Sequence, residues 1–501
     1  MSIATAKSSD EVTHLRAALK DRDSRIRELE LLVDFLRKKP YRSSSEQYQF
    51  LVSLFDEAET ADIDAATPKP AEDPKSRVDG YERNAPKRTP LPEALPREII
   101  RHDLPEDQRS CSCCGDSLHE IGVDATEQLD IIPAKIQVLR HERVKYGCRT
   151  CEAKIVTATM PPQPIPKSMA SPSTLAHVAI SKYADHLPLY RQEAMWSRSG
   201  IDLDRGTLAS WMIRAGDLVQ PLVNLLLEDI KESEVVGCDE TTVQVLKEKD
   251  KKPTAPGYVW VLSRAGPGRR GIIFEYDPSR SGRVAQRLLV DFKGVVVTDG
   301  FDGYRKLVDF GIKRAGCWAH VRRKFVEALE IEGKSGRSTV AAQAIALIGK
   351  LYDIERRAKE LDANARLHLR VAESALIISD IDAMLSAEMV RVAPKSPTGR
   401  ALSYLRGQWP GLQIFLKDGR VPIDNNAVEN AIRPFTLGRK NWLFSATPAG
   451  ARASANLYSL IETAKANGID PHAYLAKVFT ELPKATTVDE IASLLPYPTL
   501  N

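Results

Sequence analysis

The chain has 501 residues, is 43% hydrophobic and 28% charged, and carries a formal net charge of +4. That composition suits a soluble globular protein of roughly two to four domains and excludes a fibrous or wholly disordered chain. No run of about 18 apolar residues occurs, so no membrane span is expected. MSIATAKSSDEVTHLR lacks the apolar core of a signal peptide. The expected location is therefore a reducing cytoplasm, where seven cysteines point to metal or free thiols rather than disulfides.

Residues 10–38 carry a heptad. Val12, Leu19, Ile26 and Val33 fall at one core position, and Leu15, Arg22, Leu29 and Leu36 at the other. Mostly β-branched residues at the first position with Leu at the second favour a parallel two-stranded coiled coil. An amphipathic helix packing on its own chain is the plainer alternative. Pro40 ends this helix, and a short second helix follows. From Thr60 to Arg97 the chain is rich in Pro, Lys, Asp and Glu and cannot build a core, so it reads as a linker.

Cys111-Ser-Cys113-Cys114 and Cys148-Arg-Thr-Cys151 flank a β-like stretch. Two C-x-x-C turns, each presenting two thiolates, make a zinc-ribbon pattern with a closed tetrahedral Zn²⁺ site. Cys113 is a spare that leaves the place of Cys111 open. A closed site is structural, with no position for chemistry. Helices are expected over about 173–197 and 205–227, with Ser171-Pro-Ser-Thr as a capped start. Between them, YRQEAMWSRSGIDLDRGTLASWMIRAG is a helix-turn-helix candidate for reading DNA. A plain helical pair fits it equally well.

From Glu232 the periodicity changes to strands. EVVGCDETTVQVL, GYVWVLSRA and RGIIFEYDPSR give three. A helix follows at about 284–289, then the apolar run Gly294-Val-Val-Val-Thr-Asp299-Gly300, and a fifth strand over 312–317. A short run of this kind suits a strand buried on both faces, and ligand sites lie beyond the carboxyl ends of such strands. Asp299 is therefore well placed, with Asp302 as a neighbouring candidate. Asp239 sits on the first strand beside Glu240, and alternation sends the two to opposite faces. Residues 336–390 read as a helical insertion. Cys317-x-x-His320 looks like half a metal site, but no partner pair lies nearby in the sequence and it reads as structural. Trp318 and Trp442 could stack on an unpaired base; for Trp318 a place in the core is the stronger reading.

Pro422–Phe444 packs one acid, Glu429, ahead of Arg433, Arg439, Lys440 and Arg452, with no Asp or Glu from 430 to 461. An acid leading into a one-sign basic run suits a phosphate-rich partner. Alternatively, Asn426 with Glu429 makes a capping box, and Asp424 is a loop acid. Three acids on such a strand order describe a ribonuclease H-like architecture. Cutting and joining phosphodiesters needs two divalent ions about 4 Å apart, and Mg²⁺ prefers hard carboxylate oxygens.

The chain resembles the transposases of the insertion sequence sixty-six family, in particular the large TnpC-type subunit. The likeness rests on CSCCG…YGCRTCE, SKYADHLPLYRQE, CDETTVQVL, VVTDGFDGY, GCWAHVRRKF, DNNAVENAIRPFTLGRKNWLF and SLIETAKANGIDPHAYL, and spans nearly the whole length. It implies a DDE triad of Asp239, Asp299 and Glu429 holding two Mg²⁺ (or Mn²⁺) ions, and Zn²⁺ on Cys111, Cys114, Cys148 and Cys151. Arg322, Arg323, Lys324, Arg433, Arg439 and Lys440 are candidate phosphate contacts.

The expected fold is a multidomain α+β chain. It comprises a coiled-coil region (1–58), a linker (59–98), a zinc-binding domain (99–160) and a helical region (161–231). A ribonuclease H-like core follows (232–445), with a helical insertion at about 331–415, and then a C-terminal helical segment (446–501). Expected partners are DNA, as terminal inverted repeats and target, a second copy through the coiled coil, and accessory proteins of the same element. No membrane is expected, and the location would be the bacterial cytoplasm at the nucleoid. Two rival readings are a DNA-binding regulator without chemistry and a ribonuclease H-like nuclease that does not join strands.

Overall fold

The computed structural model describes residues 155–498 except 267 and 333–338, together with 97–101, 136–147, the single residues 113, 116 and 128, and the backbone of 75–78 and 81–84. The heptad stretch and Cys111, Cys114, Cys148 and Cys151 lie outside the described residues. The chain divides into two compact units; one is Glu59–Met160, and the other contains Pro161–Asn501.

In the smaller unit, β1 (Lys75–Val78) pairs antiparallel with β2 (Tyr81–Asn84). Likewise β3 (Lys145–Gly147) pairs with β4 (Ile155–Thr157), so strands flank the stretch that carries the second C-x-x-C.

In the larger unit, four helices come first: α1 (Pro172–Tyr183), α2 (Leu189–Arg198), α3 (Arg205–Leu218) and α4 (Gln220–Lys231). The Ser171 hydroxyl accepts the Thr174 N–H at 3.2 Å and caps α1 as expected. Each of the two long helices expected here is broken in two. His186 takes a left-handed φ of 59°, and Pro188 has no N–H to continue a helix. Pro221 fits only the first turn of a new helix, so α4 restarts at Gln220. The α2–α3 pair turns at Gly200, whose φ of 76° favours glycine. One side of α3 is closed against a later helix, because a Cβ on Gly216 would lie 2.5 Å from Ala453. The plain-pair reading thus has a packing reason.

Five strands form one mixed sheet in the order β7-β6-β5-β8-β9. They are β5 (Val235–Gln244), β6 (Pro256–Arg264), β7 (Ile272–Asp277), β8 (Val295–Thr298) and β9 (Lys313–Gly316), with the short helix α5 (Gly282–Leu288) between β7 and β8 in the chain. β5, β6 and β7 run antiparallel; β8 and β9 run parallel to β5. All four residues of β8 are buried, as its apolar run requires. Alternation divides the strands between two cores. Val236 and Val296 join one, and Val235, Val295 and Val297 the other.

The first core unites the sheet with α1, α3, α4, α12 (Pro448–Ala466) and α13 (Pro471–Glu481). α12 also closes the free edge of β7. Ser459 Oγ accepts the Phe274 N–H at 2.8 Å, and Thr463 Oγ1 bonds both the N–H and the carbonyl of Ile272 at 3.0 Å. Side-chain hydroxyls thereby satisfy an edge that would otherwise invite pairing.

The second core is helical: α6 (Trp318–Glu332), α7 (Val340–Arg357), α9 (Ala375–Arg391) and α10 (Pro397–Leu412). α8 (Ala363–Leu369) runs into α9 through a π-turn at Arg370–Ser374. Arg370, 1% exposed, grips Glu355 through two bonds (2.7 and 2.6 Å) and donates to the carbonyls of Phe415, Asp418 and Val421. That clamp fixes the turn just before Pro422. Trp318 is fully buried, its Nε1 donating to the Leu412 carbonyl at 2.9 Å, which settles it as core. Among the described residues, no helix is long and apolar enough to cross a membrane.

Candidate active site

Parallel register builds the site. β5 and β8 pair Val235 with Val295, Val236 with Val296 and Gly237 with Val297. Two residues further along the chain stand Asp239, within β5, and Asp299, just past the end of β8. Equal offset and equal parity aim both carboxylates to one face on strands about 5 Å apart. Burial, then the charges of Asp299 and Glu240, push the Asp239 carboxyl well above its usual range, with Glu429 adding to the effect. The Glu240 N–H bonds Asp239 Oδ1 at 2.8 Å and works the other way.

Glu240, the rival acid, faces away. Its side chain is 1% exposed, takes the Tyr304 hydroxyl at 2.5 Å and pairs with Arg280 at 2.7 Å. Asp302 is exposed and pairs with Arg305 at 3.0 Å. Neither joins the Asp239 face.

Asp299 ends β8 in a tight turn, its Oδ1 accepting the Phe301 N–H at 2.9 Å. Two supports hold that turn. Arg314 on β9 donates to Thr298 Oγ1 (2.8 Å), the Asp299 carbonyl (2.5 Å) and Gln408 on α10 (2.6 Å). A Cβ on Gly300 would lie 2.5 Å from the Tyr404 ring, so α10 presses directly on the backbone. The insertion thus braces the acid turn, a role that composition did not signal.

Glu429 arrives in the first turn of α11 (Asn426–Trp442). The capping-box expectation is corrected here. Asn425, not Asn426, is the N-cap, and its own side chain makes no cap hydrogen bond. The Asn425 amide instead crosses to the Cys238 carbonyl on β5 at 3.0 Å, while Asp424 accepts the Asn426 N–H at 3.1 Å and the Tyr352 hydroxyl at 2.9 Å. α11 lies flush on β5 because residue 237 is glycine; a Cβ there would sit 2.3 Å from Val428 Cγ2. Glu429 is thereby brought to the Asp239 side with 9% of its side chain exposed. Its Oε2 accepts from Arg323 on α6 at 3.1 Å, and its Oε1 faces His320 Nδ1 at 3.5 Å. Burial holds the His320 imidazole below its ordinary value.

The basic residues divide. Arg323 binds Glu429. Arg439 is drawn onto β5, its Nη1 donating to Thr241 and Thr242 hydroxyls at 3.1 Å and to the Thr242 carbonyl. Lys324 pairs with Glu327 at 2.9 Å in the open. Arg322 and Arg433 are half-buried, and Lys440 is exposed. Arg439 and Lys440 line a groove of about 490 Å³ with Thr242, Gln244, Thr254, Pro256 and Leu443. Trp442 packs edge-on to Phe435 at 5.5 Å with Lys182 over its ring at 5.2 Å.

Residues 167–453 match the family model described as "Transposase IS66 family". The chain belongs to the IS66 family of transposases. Residues 459–497 match the family's C-terminal element, 108–152 its zinc-finger binding domain, and 28–100 the model described as "Transposase C of IS166 homeodomain". Similar chains include two uncharacterized proteins of Sinorhizobium fredii. One, y4qI, is 33% identical over 98% of this chain and 92% of its own length; the other, y4jD, is 34% identical over 80% and 81%. Membership makes the chain an insertion-sequence transposase with zinc-finger and leucine-zipper modules.

Sequence reasoning named the three acids but missed what holds them. Arg314, Tyr404 and Gln408 come from segments with no recognisable motif. The role of Arg323 beside Glu429 was hidden among three consecutive basic residues.

Proposed function

We propose that the sheet and its helices form a ribonuclease H-like DDE core that cleaves DNA at the ends of an insertion element and joins those ends to a target. What supports this most is the register that sets Asp239 beside Asp299, with the first turn of α11 bringing Glu429 to the same side. Two adjacent carboxylates in a buried setting repel, and a divalent cation relieves that repulsion. The donor set is all oxygen, which suits Mg²⁺ or Mn²⁺. Two such ions, when held, activate the attacking oxygen and stabilise the leaving one.

The remaining work falls to the chain itself. Asp239, within β5, and Asp299, just past the end of β8, sit on rigid backbone and would hold the ions against which the reacting phosphate docks. Glu429 completes the acid set from a separate helix. Lys440 and Arg433, with Arg322 and Lys324 on α6, hold flanking phosphates without reading sequence. The reaction comprises two in-line displacements. Water cuts a phosphodiester at the element's end, and the freed 3′-hydroxyl then attacks target DNA. Zinc on Cys111, Cys114, Cys148 and Cys151 would keep the smaller unit folded for end recognition. The N-terminal heptad would pair two copies so that both ends are held together.

The test is nicking and strand transfer on end-containing DNA with Mg²⁺. Asp299→Asn should lower both by at least 100-fold, and activity near the parent's would sink the triad. If the parent shows no metal-dependent nicking, the regulator reading takes its place.

A further inference from the structure

Cys317 and His320 have no partner pair in the sequence, but the fold supplies one donor. Cys317, His320 and Glu429 each offer a ligand atom, and the three atoms lie within 4.8 Å of one another. Among the described residues, His320 Nδ1 and Glu429 Oε1 are both buried without a hydrogen-bond partner, and they face each other at 3.5 Å. A tetrahedral Zn²⁺, with bonds of about 2.0–2.2 Å to nitrogen and oxygen, sets such donors about 3.4 Å apart. The Cys317 sulfur takes an N–H from Asn425 at 3.3 Å; burial, then the charges of Asp424 and Glu429, push its thiol well above the usual range, so the cation itself has to displace the proton. The Glu429 side chain is more than nine-tenths buried, and Arg323 on its other oxygen orients Oε1 toward the cluster.

We propose that Cys317, His320 and Glu429 form a second, three-ligand site for a borderline-soft divalent cation of the Zn²⁺ class, with an open fourth position. Its mixed sulfur, nitrogen and oxygen set differs from the all-oxygen set of Asp239 and Asp299, so it selects a different ion. Glu429 belongs to both. Zn²⁺ bound here withdraws Glu429 from the acid set and silences catalysis. This consequence rests on the DDE reading; the site itself does not.

Metal content of the full chain tests the site. After equilibration with Zn²⁺ and removal of the excess, the parent should retain one equivalent more than Cys317→Ser or His320→Ala. In the Co²⁺ form, Cys317→Ser should lose part of the thiolate charge-transfer absorption. Equal Zn²⁺ content in the three proteins overturns the proposal. If a melting curve shows that Cys317→Ser does not fold, His320→Gln and Glu429→Gln carry the same count. In a second arm with Mg²⁺ in excess, added Zn²⁺ should slow parental nicking at least tenfold and that of Cys317→Ser less than twofold, each relative to its own Mg²⁺ rate. Equal inhibition overturns the competition. A parent that never nicks sinks the DDE reading and leaves the metal count standing.

Discussion

Asp424 shows how one buried acid sets a pH dependence. Burial pushes its carboxyl up to about 6, against the pull of the Asn426 N–H and the Tyr352 hydroxyl. The unfolded value is about 3.9. Folding therefore takes up a proton between the two, and this group's contribution to stability falls as pH rises from about 4 to 6. Asp424→Asn removes the titration. Relative to the parent, the variant should gain up to roughly 2 kcal/mol between pH 4 and pH 7, read by urea unfolding at both. Parallel profiles would refute it. Lys440 makes a contrasting case at the surface. As a phosphate contact, Lys440→Ala should weaken DNA binding alike across sequences and lower the salt slope by about 1. A sequence-dependent loss in filter binding would argue for base readout instead.

At the level of elements, the site depends on how closely α11 approaches β5. Gly237→Ala puts a Cβ 2.3 Å from Val428 Cγ2. Overpacking of this kind costs about 1–3 kcal/mol, and here it also tilts the first turn that carries Glu429. Nicking should fall more than stability alone explains, measured well below the melting temperature. Arg370 fixes the other approach to that turn. Arg370→Met leaves Glu355 and three carbonyls without their donor. Breaking a buried charge pair costs about 3–5 kcal/mol, which calorimetry of the full chain will register.

At the scale of the molecule, both hydrophobic cores found among the described residues lie between Ile165 and Leu494. Helices α1, α3 and α4 belong to the first of them, with Leu189 and Trp196 of α2 packed against it, although sequence composition sets 161–231 apart. A chain of 161–501 should therefore melt cooperatively, whereas 232–501 exposes the face of α12 that holds α3 and should aggregate or melt far lower. Footprints on candidate inverted repeats should disappear for 161–501, because the zinc-finger and leucine-zipper matches lie before it.

The order of strands, the buried β8 and the three candidate acids were legible in the chain because each has a local signature. Alternation marks β5, an unbroken apolar run marks β8, and Glu429 stands alone ahead of basic residues. Those signals left Asp239 and Glu240 equal except for the face each would take. The family resemblance took Asp239; the pairing of Gly237 with Val297 supplies the physical ground, since register aligns Asp239 with Asp299 while Tyr304 and Arg280 claim Glu240. The same limit applies to α11. A capping box is a four-residue pattern, but Asn425 is used across the sheet, by a carbonyl 187 positions away in sequence. His320 gained its carboxylate neighbour by the same route. Local pattern fixes which elements form; contacts between residues distant in the chain decide which side chains meet, and those arise only when the two cores close.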